Sequence, residues 1–149
     1  MTDSYDIDFL AVETKKSGDA IAMRYTVNGY QCIHVTDGGY IETGERLVEH
    51  INTHYGRPDL IHHVVITHPD GDHANGLRIV LENFTIGTLW ILRPWEYAEQ
   101  LIHRFETYSS VDRLRARLRA LYPNLAELEE IALERGIQMQ EPFQGNPSK

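Results

Sequence analysis

Val64-Val-Ile-Thr-His-Pro-Asp-Gly-Asp-His-Ala-Asn-Gly76 is the stretch from which we predict the fold of this chain. Its first residues end an apolar run, Ile61 to Ile66. The three successive aliphatic residues Val64, Val65 and Ile66 are typical of a strand buried on both faces. Four candidate metal ligands follow within six residues: His68, Asp70, Asp72 and His73. A strand that ends in a tight turn of imidazoles and carboxylates can direct several ligands into one small volume. The stretch therefore predicts a loop-borne metal site after a buried strand.

Three other interpretations explain the stretch less well. A solvated Asp-Gly-Asp turn is common, but it leaves the two flanking histidines unexplained. A calcium loop counted from Asp70 needs an oxygen ligand, a glycine and a glutamate at its fifth, sixth and twelfth places, which Ala74, Asn75 and Leu81 occupy. A helical zinc motif needs histidines four residues apart, whereas these are five apart with a proline and a glycine between them.

The composition predicts a single globular domain over residues 1–149. The chain is 42% hydrophobic and 24% charged, which suits one core and argues against disorder. Its first residues lack the basic start and apolar run of a signal peptide, and no stretch has the length of a membrane span, so we expect a cytoplasmic protein without a membrane partner. The net charge of −8 weighs only lightly against a nucleic-acid substrate, because bound cations would change the local field.

Cysteine usage restricts the kind of metal site. Cys32 is the only cysteine, so an intramolecular disulfide is impossible and a cluster of zinc thiolates is excluded. The sequence therefore predicts that a metal is held by histidine and carboxylate.

Residues 5–92 form the β-rich part of the predicted domain. Alternation and buried apolar runs predict strands at 5–12, 20–27, 30–35, 61–66 and 88–92. Asn28-Gly29 predicts a hairpin between the second and third strands, since both positions tolerate positive φ. Thr43 is expected to cap a helix that ends before Pro58. Leu77 to Phe84 reads as a short helix, and Gly87 is expected to break that helix before the last strand.

Residues 95–136 carry the helical part. Apolar residues recur there at helical spacing, and Gly136 follows at a natural helix end. Residues 137–141 are expected to begin a further strand. The overall prediction is an α/β fold with a mixed sheet, outer helices and a helical segment near its end.

Residues 64–76 resemble the metal-binding signature of the metallo-β-lactamase superfamily, which is His-x-His-x-Asp-His after a hydrophobic strand. Asp70 stands in place of the middle histidine, and this variant resembles the branch typified by the hydrolase domain of ComEC-type competence proteins. Val35-Thr-Asp-Gly-Gly39 is similar to the strand and Asp-Gly turn that precede the signature in the family. The resemblance covers roughly residues 5–92 and implies the N-terminal half of an αββα sandwich.

The resemblance also implies a ligand set and an activity. His68 and Asp70 would hold a first metal, Asp72 and His73 a second, and Asp72 would also orient the attacking water. Asp37 and Thr67 would hydrogen-bond behind the ligands, and no other cofactor is expected. Two Zn²⁺ ions are implied, with Mn²⁺ as the alternative that the harder Asp70 ligand favours.

The implied function is hydrolysis of a phosphodiester or related ester, in a nucleic acid or a nucleotide, by metal-activated water. The alternative is a noncatalytic binding or regulatory module that retains the fold with an incomplete metal site.

The chain departs from the family in its later residues. Members of the superfamily take further ligands from a second β-rich half, but no histidine follows His103. One interpretation is that the chain is the N-terminal half of a larger hydrolase, and the other is that it is a natural whole. In either case we expect weak metal binding, little hydrolysis, and a missing second half or a self-association partner that covers an exposed sheet surface.

The remaining histidines and a group of arginines are given structural interpretations. His34, His50, His54, His62, His63 and His103 are interpreted as surface or core-edge residues. The basic stretch that contains Arg113, Arg115, Arg117 and Arg119 is interpreted as a solvated helix surface, with phosphate contact as the alternative. Trp90 and Trp95 are expected to pack in the structure.

Overall fold

The computed structural model describes residues 2–12, 17–143 and 145, so Met1 and residues 13–16, 144 and 146–149 of the predicted domain lie outside the described residues. Its strands form one sheet in the order of the sequence. They are β1 (Ser4–Phe9), β2 (Ala20–Val27), β3 (Tyr30–Gly38), β4 (Leu60–Val65), β5 (Thr85–Trp90) and β6 (Gln138–Gln140). The first three strands are antiparallel, and β3 to β6 are parallel to one another.

The helices connect the parallel strands, as parallel pairing requires. They are α1 (Ile41–His54), α2 (Gly71–Asn83), α3 (Ala98–Leu101), α4 (Val111–Leu121) and α5 (Pro123–Glu134), with 3-10 turns at Pro94–Tyr97 and Ile102–Arg104. The predicted mixed α/β architecture, with helices outside a mixed sheet, is confirmed. Within the described part of the chain, no helix is both long and apolar enough to cross a membrane.

The register of the sheet separates two faces, because directly opposed residues on neighbouring strands share a face. Ala22, Val35, Val64 and Leu89 form one row across four strands, and each is fully buried. They belong to the same core cluster as the helical residues Leu47, Leu77, Leu114 and Leu128. This is the helix-covered face of the sheet.

The opposite face, which we call the open face, carries the alternate residues of the same strands. Its central row is Met23, His34, His63 and Thr88. At the β1 edge it presents three apolar side chains, Tyr5, Ile7 and Phe9, which are 76%, 47% and 76% exposed. The open face is therefore only partly covered by the described residues.

Glycines bring α1, α2 and β3 into close contact. Gly76 lies in α2 against the backbones of Gly38 and Tyr40, and its amide donates to the Gly39 carbonyl over 2.8 Å. A Cβ atom on Gly76 would overlap the Gly38 carbonyl oxygen, and one on Gly44 would meet the backbone of Gly76. This contact fixes the start of α2 beside the end of β3.

Two predicted helix boundaries are wrong. Thr43 does not cap α1, because the helix begins at Ile41 after an extended Tyr40. The second helix begins at Gly71, six residues before the predicted start at Leu77. Asp70 is extended, and its carbonyl accepts from the amides of His73 and Ala74, so the polar residues after it form the first helical turn.

Contrary to the prediction, Gly87 does not break the α2 helix, which already ends at Asn83. It lies inside the strand β5, where a Cβ atom would come within 2.6 Å of the His62 carbonyl oxygen. Glycine in a strand interior is tolerated where another backbone approaches closely. The strand accordingly begins at Thr85 and ends at Trp90.

Candidate metal centre

Three elements direct polar side chains to one edge of the sheet. Asp37 lies near the end of β3, and His68 follows the end of its parallel neighbour β4. The α2 helix starts at the same edge and carries Asp72 and His73 in its first turn. The carboxyl ends of parallel strands form the usual binding crevice of such sheets. Asp72 and His73 are therefore helical residues, whereas the sequence predicted them in a loop.

Asp37 is the buried centre of this group, with 1% of its surface exposed. One carboxylate oxygen accepts from the Thr67 amide over 2.8 Å, and the other accepts from the Thr67 hydroxyl. The second oxygen also lies 2.9 Å from Nδ1 of His73. Asp37 therefore ties Thr67, two residues after the end of β4, to the first turn of α2.

His73 is oriented so that one ring nitrogen is held and the other is available. Its Nδ1 faces Asp37, while its Nε2 lies 4.0 Å from a carboxylate oxygen of Asp72. Both side chains are mostly buried, at 18% and 17% exposure. Histidines that ligate metals usually donate their other ring N–H to such a carboxylate, which fixes the tautomer and the ring.

Charge around His73 favours its protonated form when no cation is bound. Burial lowers the pKa of His73, but the hydrogen bond with Asp37 and the charges of Asp37, Asp72 and Asp19 outweigh it, so the pKa is raised above its usual value. The same negative charges would stabilise a metal cation in place of the proton.

We therefore expect the affinity for Mn²⁺ to fall as pH is lowered from about 8 to about 6, because the proton on His73 competes with the metal. Calorimetric titration at both pH values measures this difference. An affinity that stayed constant over the range would contradict the assignment of His73 as a ligand.

His68 and Asp70 form a second, more exposed pair. Nδ1 of His68 lies 3.4 Å from a carboxylate oxygen of Asp70, and the side chains are 54% and 68% exposed. The His68 and His73 rings have centroids 5.2 Å apart, which brings the two pairs side by side. A metal site needs at least three donor atoms close to one another. Among the described residues, however, His68, Asp70 and Asp72 do not belong to any group of three side chains whose donor atoms all lie within 4.8 Å of one another. The structure brings the four predicted ligands near one another without converging them on one point.

Asp19 joins the site although the sequence did not predict it. It forms a close group with Asp37 and His73, and its carboxylate lies 3.7 Å from Nδ1 of His73. Both oxygens of Asp37 are already hydrogen-bonded, so the 60%-exposed Asp19 is the more available ligand. The Asn28-Gly29 hairpin held only part of a signal for it, since regular pairing from the turn would place Asp19 opposite Gly38. The bulge at Ala20 shifts it beside Gly39, whose backbone amide donates to the Asp19 backbone carbonyl over 2.9 Å.

Two cavities flank the His68–His73 segment. One of about 470 Å³ is lined by Tyr40, Asp70, Asp72, Tyr122 and Asn124, among others. The other, of about 200 Å³, is lined mainly by apolar atoms and reaches His68 and Leu125. The Asn124 amide donates to the Pro69 carbonyl over 3.0 Å and ties α5 to the segment. The candidate ligands thus border space that a small substrate can enter.

Arg119, from the basic helical stretch, is held by neighbouring groups. It pairs with Glu129, whose carboxylate also accepts from Arg93 and Trp95. Its guanidinium lies 5.2 Å from the centre of the Trp95 ring. Arg115 pairs with the neighbouring Asp112. These contacts give both arginines structural roles on the helix surface.

Comparison of the sequence with models of protein families finds no match, and comparison with curated proteins finds none either. Among solved structures, the fold is similar to that of a candidate metallo-beta-lactamase from Thermotoga maritima, with 15% sequence identity and a TM-score of 0.38. The match covers 79% of this chain and 56% of the other, so the chain spans little more than half the length of that protein. Similarity at this level carries no argument about the activity of this chain.

Proposed function

We propose that this chain carries the metal site of a metallo-β-lactamase-type hydrolase that cleaves a phosphodiester or related ester. The observation that carries the proposal is the hydrogen bond of 2.9 Å between buried Asp37 and Nδ1 of His73, which leaves Nε2 facing Asp72. The His-x-Asp-x-Asp-His segment supplies four candidate ligands beside it. Hydrolases that use a bound metal present imidazole and carboxylate donors in this way.

The donor set fits a divalent ion. Imidazole nitrogens and carboxylate oxygens suit Zn²⁺, Mn²⁺ or Fe²⁺, and the candidate ligands Asp70 and Asp72 favour the harder ions. His68 and Asp70 would hold one ion, while Asp72 and Nε2 of His73 would hold the other, with the nearby Asp19 carboxylate adding negative charge. The ions would supply Lewis acidity and a lowered pKa for water.

The chain's own residues orient and position the reacting groups in this proposal. Asp37 holds the His73 ring and, through Thr67, the start of the segment. Asp72 would also orient the attacking water toward the ester. The polar cavity of about 470 Å³ beside Asp70 and Asp72 receives the substrate.

A phosphodiester is proposed over a β-lactam or thioester because of Asp70. The aspartate in place of the middle histidine resembles the ComEC-type branch, for which a nucleic-acid or nucleotide substrate is the expectation. The chain's net charge of −8 does not oppose this, because two bound divalent ions would offset the carboxylates at the site.

Hydrolysis of bis(p-nitrophenyl) phosphate with added Mn²⁺ or Zn²⁺ tests the proposal. We expect slow, metal-dependent turnover that chelation abolishes and that Asp72→Ala lowers by about 100-fold or more. Asp112→Ala is the matched control, since Asp112 is a helical aspartate whose side chain is 90% exposed. Turnover that Asp72→Ala left unchanged would contradict the proposed role.

A noncatalytic metal-binding module is the second candidate. The observation that favours it is the arrangement of His68 and Asp70, which are exposed and do not converge with the other ligands. Tight metal binding by the segment with no hydrolysis of any phosphodiester would support the module over the enzyme.

We further propose that a second copy of this chain covers the β1 end of the open face. Tyr5, Ile7 and Phe9 lie there on one exposed row of an edge strand, an arrangement that promotes association. We expect sedimentation velocity to show concentration-dependent self-association, and Phe9→Lys to shift the protein toward monomer. Leu133→Lys is the control, because Leu133 is 65% exposed but lies on the helix α5 and not on the sheet. A monomer at every concentration would contradict this proposal.

A further inference from the structure

A cysteine and two histidines meet on the open face, away from the His68–His73 segment. Cys32 and His34 are two residues apart on β3, so their side chains leave the same face of the strand. His63 lies directly opposite His34 in the parallel β3–β4 pair. The register of the sheet thus places a thiol and two imidazoles together at its centre.

The three side chains are close enough to share one ion. Each offers a donor atom within 4.8 Å of the donors of the other two, and the two imidazole rings have centroids 4.5 Å apart. Ligands around a tetrahedral zinc lie roughly 3.3 to 3.8 Å apart, given Zn–S and Zn–N bonds of about 2.3 and 2.0 Å. Small side-chain rotations would therefore close the group on an ion. All three residues are half-buried, which leaves the site reachable from solvent.

Neighbouring side chains orient both rings. The Trp90 indole donates to Nδ1 of His63 over 3.0 Å. The Tyr25 hydroxyl lies 3.2 Å from Nε2 of His34. Because the indole N–H can only donate, the Nδ1 lone pair of His63 accepts this hydrogen bond, and in the neutral ring the proton sits on Nε2. Binding of an ion at either nitrogen of His63 would then disturb the Trp90 hydrogen bond.

The electrostatic environment keeps the imidazoles neutral. Burial, followed by the nearby His63 and His62, lowers the pKa of His34 to about 4. Burial and His62 also lower the pKa of His63. A neutral imidazole can bind a cation without net loss of a proton, so near neutral pH an ion would need only to replace the Trp90 hydrogen bond or shift the His63 tautomer.

We propose that Cys32, His34 and His63 form a second metal site, which takes Zn²⁺ or another borderline divalent ion and leaves a fourth position open. One thiolate with two imidazoles is a softer donor set than the carboxylate-rich segment at the sheet edge. The two sites therefore differ in ion preference. A single cysteine cannot form a thiolate cluster, but it can serve here as one ligand of three.

Co²⁺ titration of the full chain tests this site, because a Co²⁺–thiolate bond gives a charge-transfer band in the near ultraviolet. We expect the band to appear on addition of Co²⁺ and to be removed by excess Zn²⁺. Cys32→Ser should abolish the band. His34→Ala or His63→Ala should weaken Co²⁺ binding by more than about tenfold, because even the loss of a residue that only hydrogen-bonds to a metal ligand lowers metal affinity by that factor. Circular dichroism checks that each variant is folded.

The controls separate this site from the proposed hydrolytic centre. Asp72→Ala should leave the charge-transfer band unchanged, and so should His103→Ala, which removes an exposed histidine elsewhere. Zn²⁺ should also alter the fluorescence of Trp90, and Trp90→Phe should remove that change while buried Trp95 remains. A missing band with excess Co²⁺, or a band that neither histidine variant weakens, would overturn the proposal.

Discussion

Replacing Asp37 with asparagine is expected to lower the free energy of unfolding by about 2 to 4 kcal/mol, since a buried hydrogen-bonded charge is replaced by a group that cannot satisfy the same donors. Asp37 accepts from the amide and the hydroxyl of Thr67 and faces Nδ1 of His73. An asparagine offers one oxygen for these contacts, and its NH₂ group would oppose another donor. The backbone itself should tolerate the change, because Asp37 has φ of 55° and asparagine adopts this region readily.

The same substitution is expected to weaken binding of Mn²⁺ by about 10- to 100-fold, because His73 would lose the carboxylate that orients it. Chemical denaturation and calorimetric titration measure the two effects. Asp112→Asn is the matched control for both, since the Asp112 side chain is 90% exposed. A fully stable Asp37→Asn protein with unchanged metal affinity would contradict the role given to Asp37.

Substitution of Gly76 by alanine is expected to destabilise the fold by about 3 kcal/mol or more, or to prevent folding, because the added methyl group overpacks a backbone contact. The Cβ atom would overlap the Gly38 carbonyl oxygen and crowd the carbonyl of Tyr40. Neither carbonyl can move without displacing β3 or the start of α1. This cost exceeds the gain in helix propensity of about 1 kcal/mol.

Gly71→Ala on the same helix is the control for Gly76→Ala. Its Cβ atom would meet only the end of the Asn75 side chain, which can rotate away. Thermal and urea unfolding of the two variants should therefore separate them clearly. Equal stability of both would show that α2 does not pack against β3 through Gly76.

Local signals predicted much of the fold. The Asn28-Gly29 turn fixed the β2–β3 hairpin, and β2 has the predicted bounds, Ala20–Val27. The start of α2 was missed because its first turn, Gly71 to Ala74, is mostly polar and shows no apolar periodicity. Tertiary contact with β3 makes that turn helical, and hydrophobic spacing does not encode the contact.

The candidate site was predictable where its residues are adjacent in sequence or, for Asp37, where the family resemblance includes them. His68 to His73 form a recognisable pattern, whereas Asp19 reaches the site through the register of the β2–β3 hairpin and its bulge near Ala20. The Cys32, His34 and His63 group likewise depends on pairing between β3 and β4. The isolated histidines were given structural interpretations because the sequence does not show which strands are neighbours.

Mn²⁺-induced broadening of amide resonances in the full chain tests the central claim most directly, namely that the His68–His73 segment binds a divalent metal. Mn²⁺ prefers the carboxylate-rich segment to the thiolate group on the open face. We predict selective broadening of His68, Asp70, Asp72 and His73 at low Mn²⁺, together with Asp19 and Asp37, while the Asn28-Gly29 turn stays sharp. Broadening that spared the segment, or that spread evenly over surface carboxylates, would contradict the account.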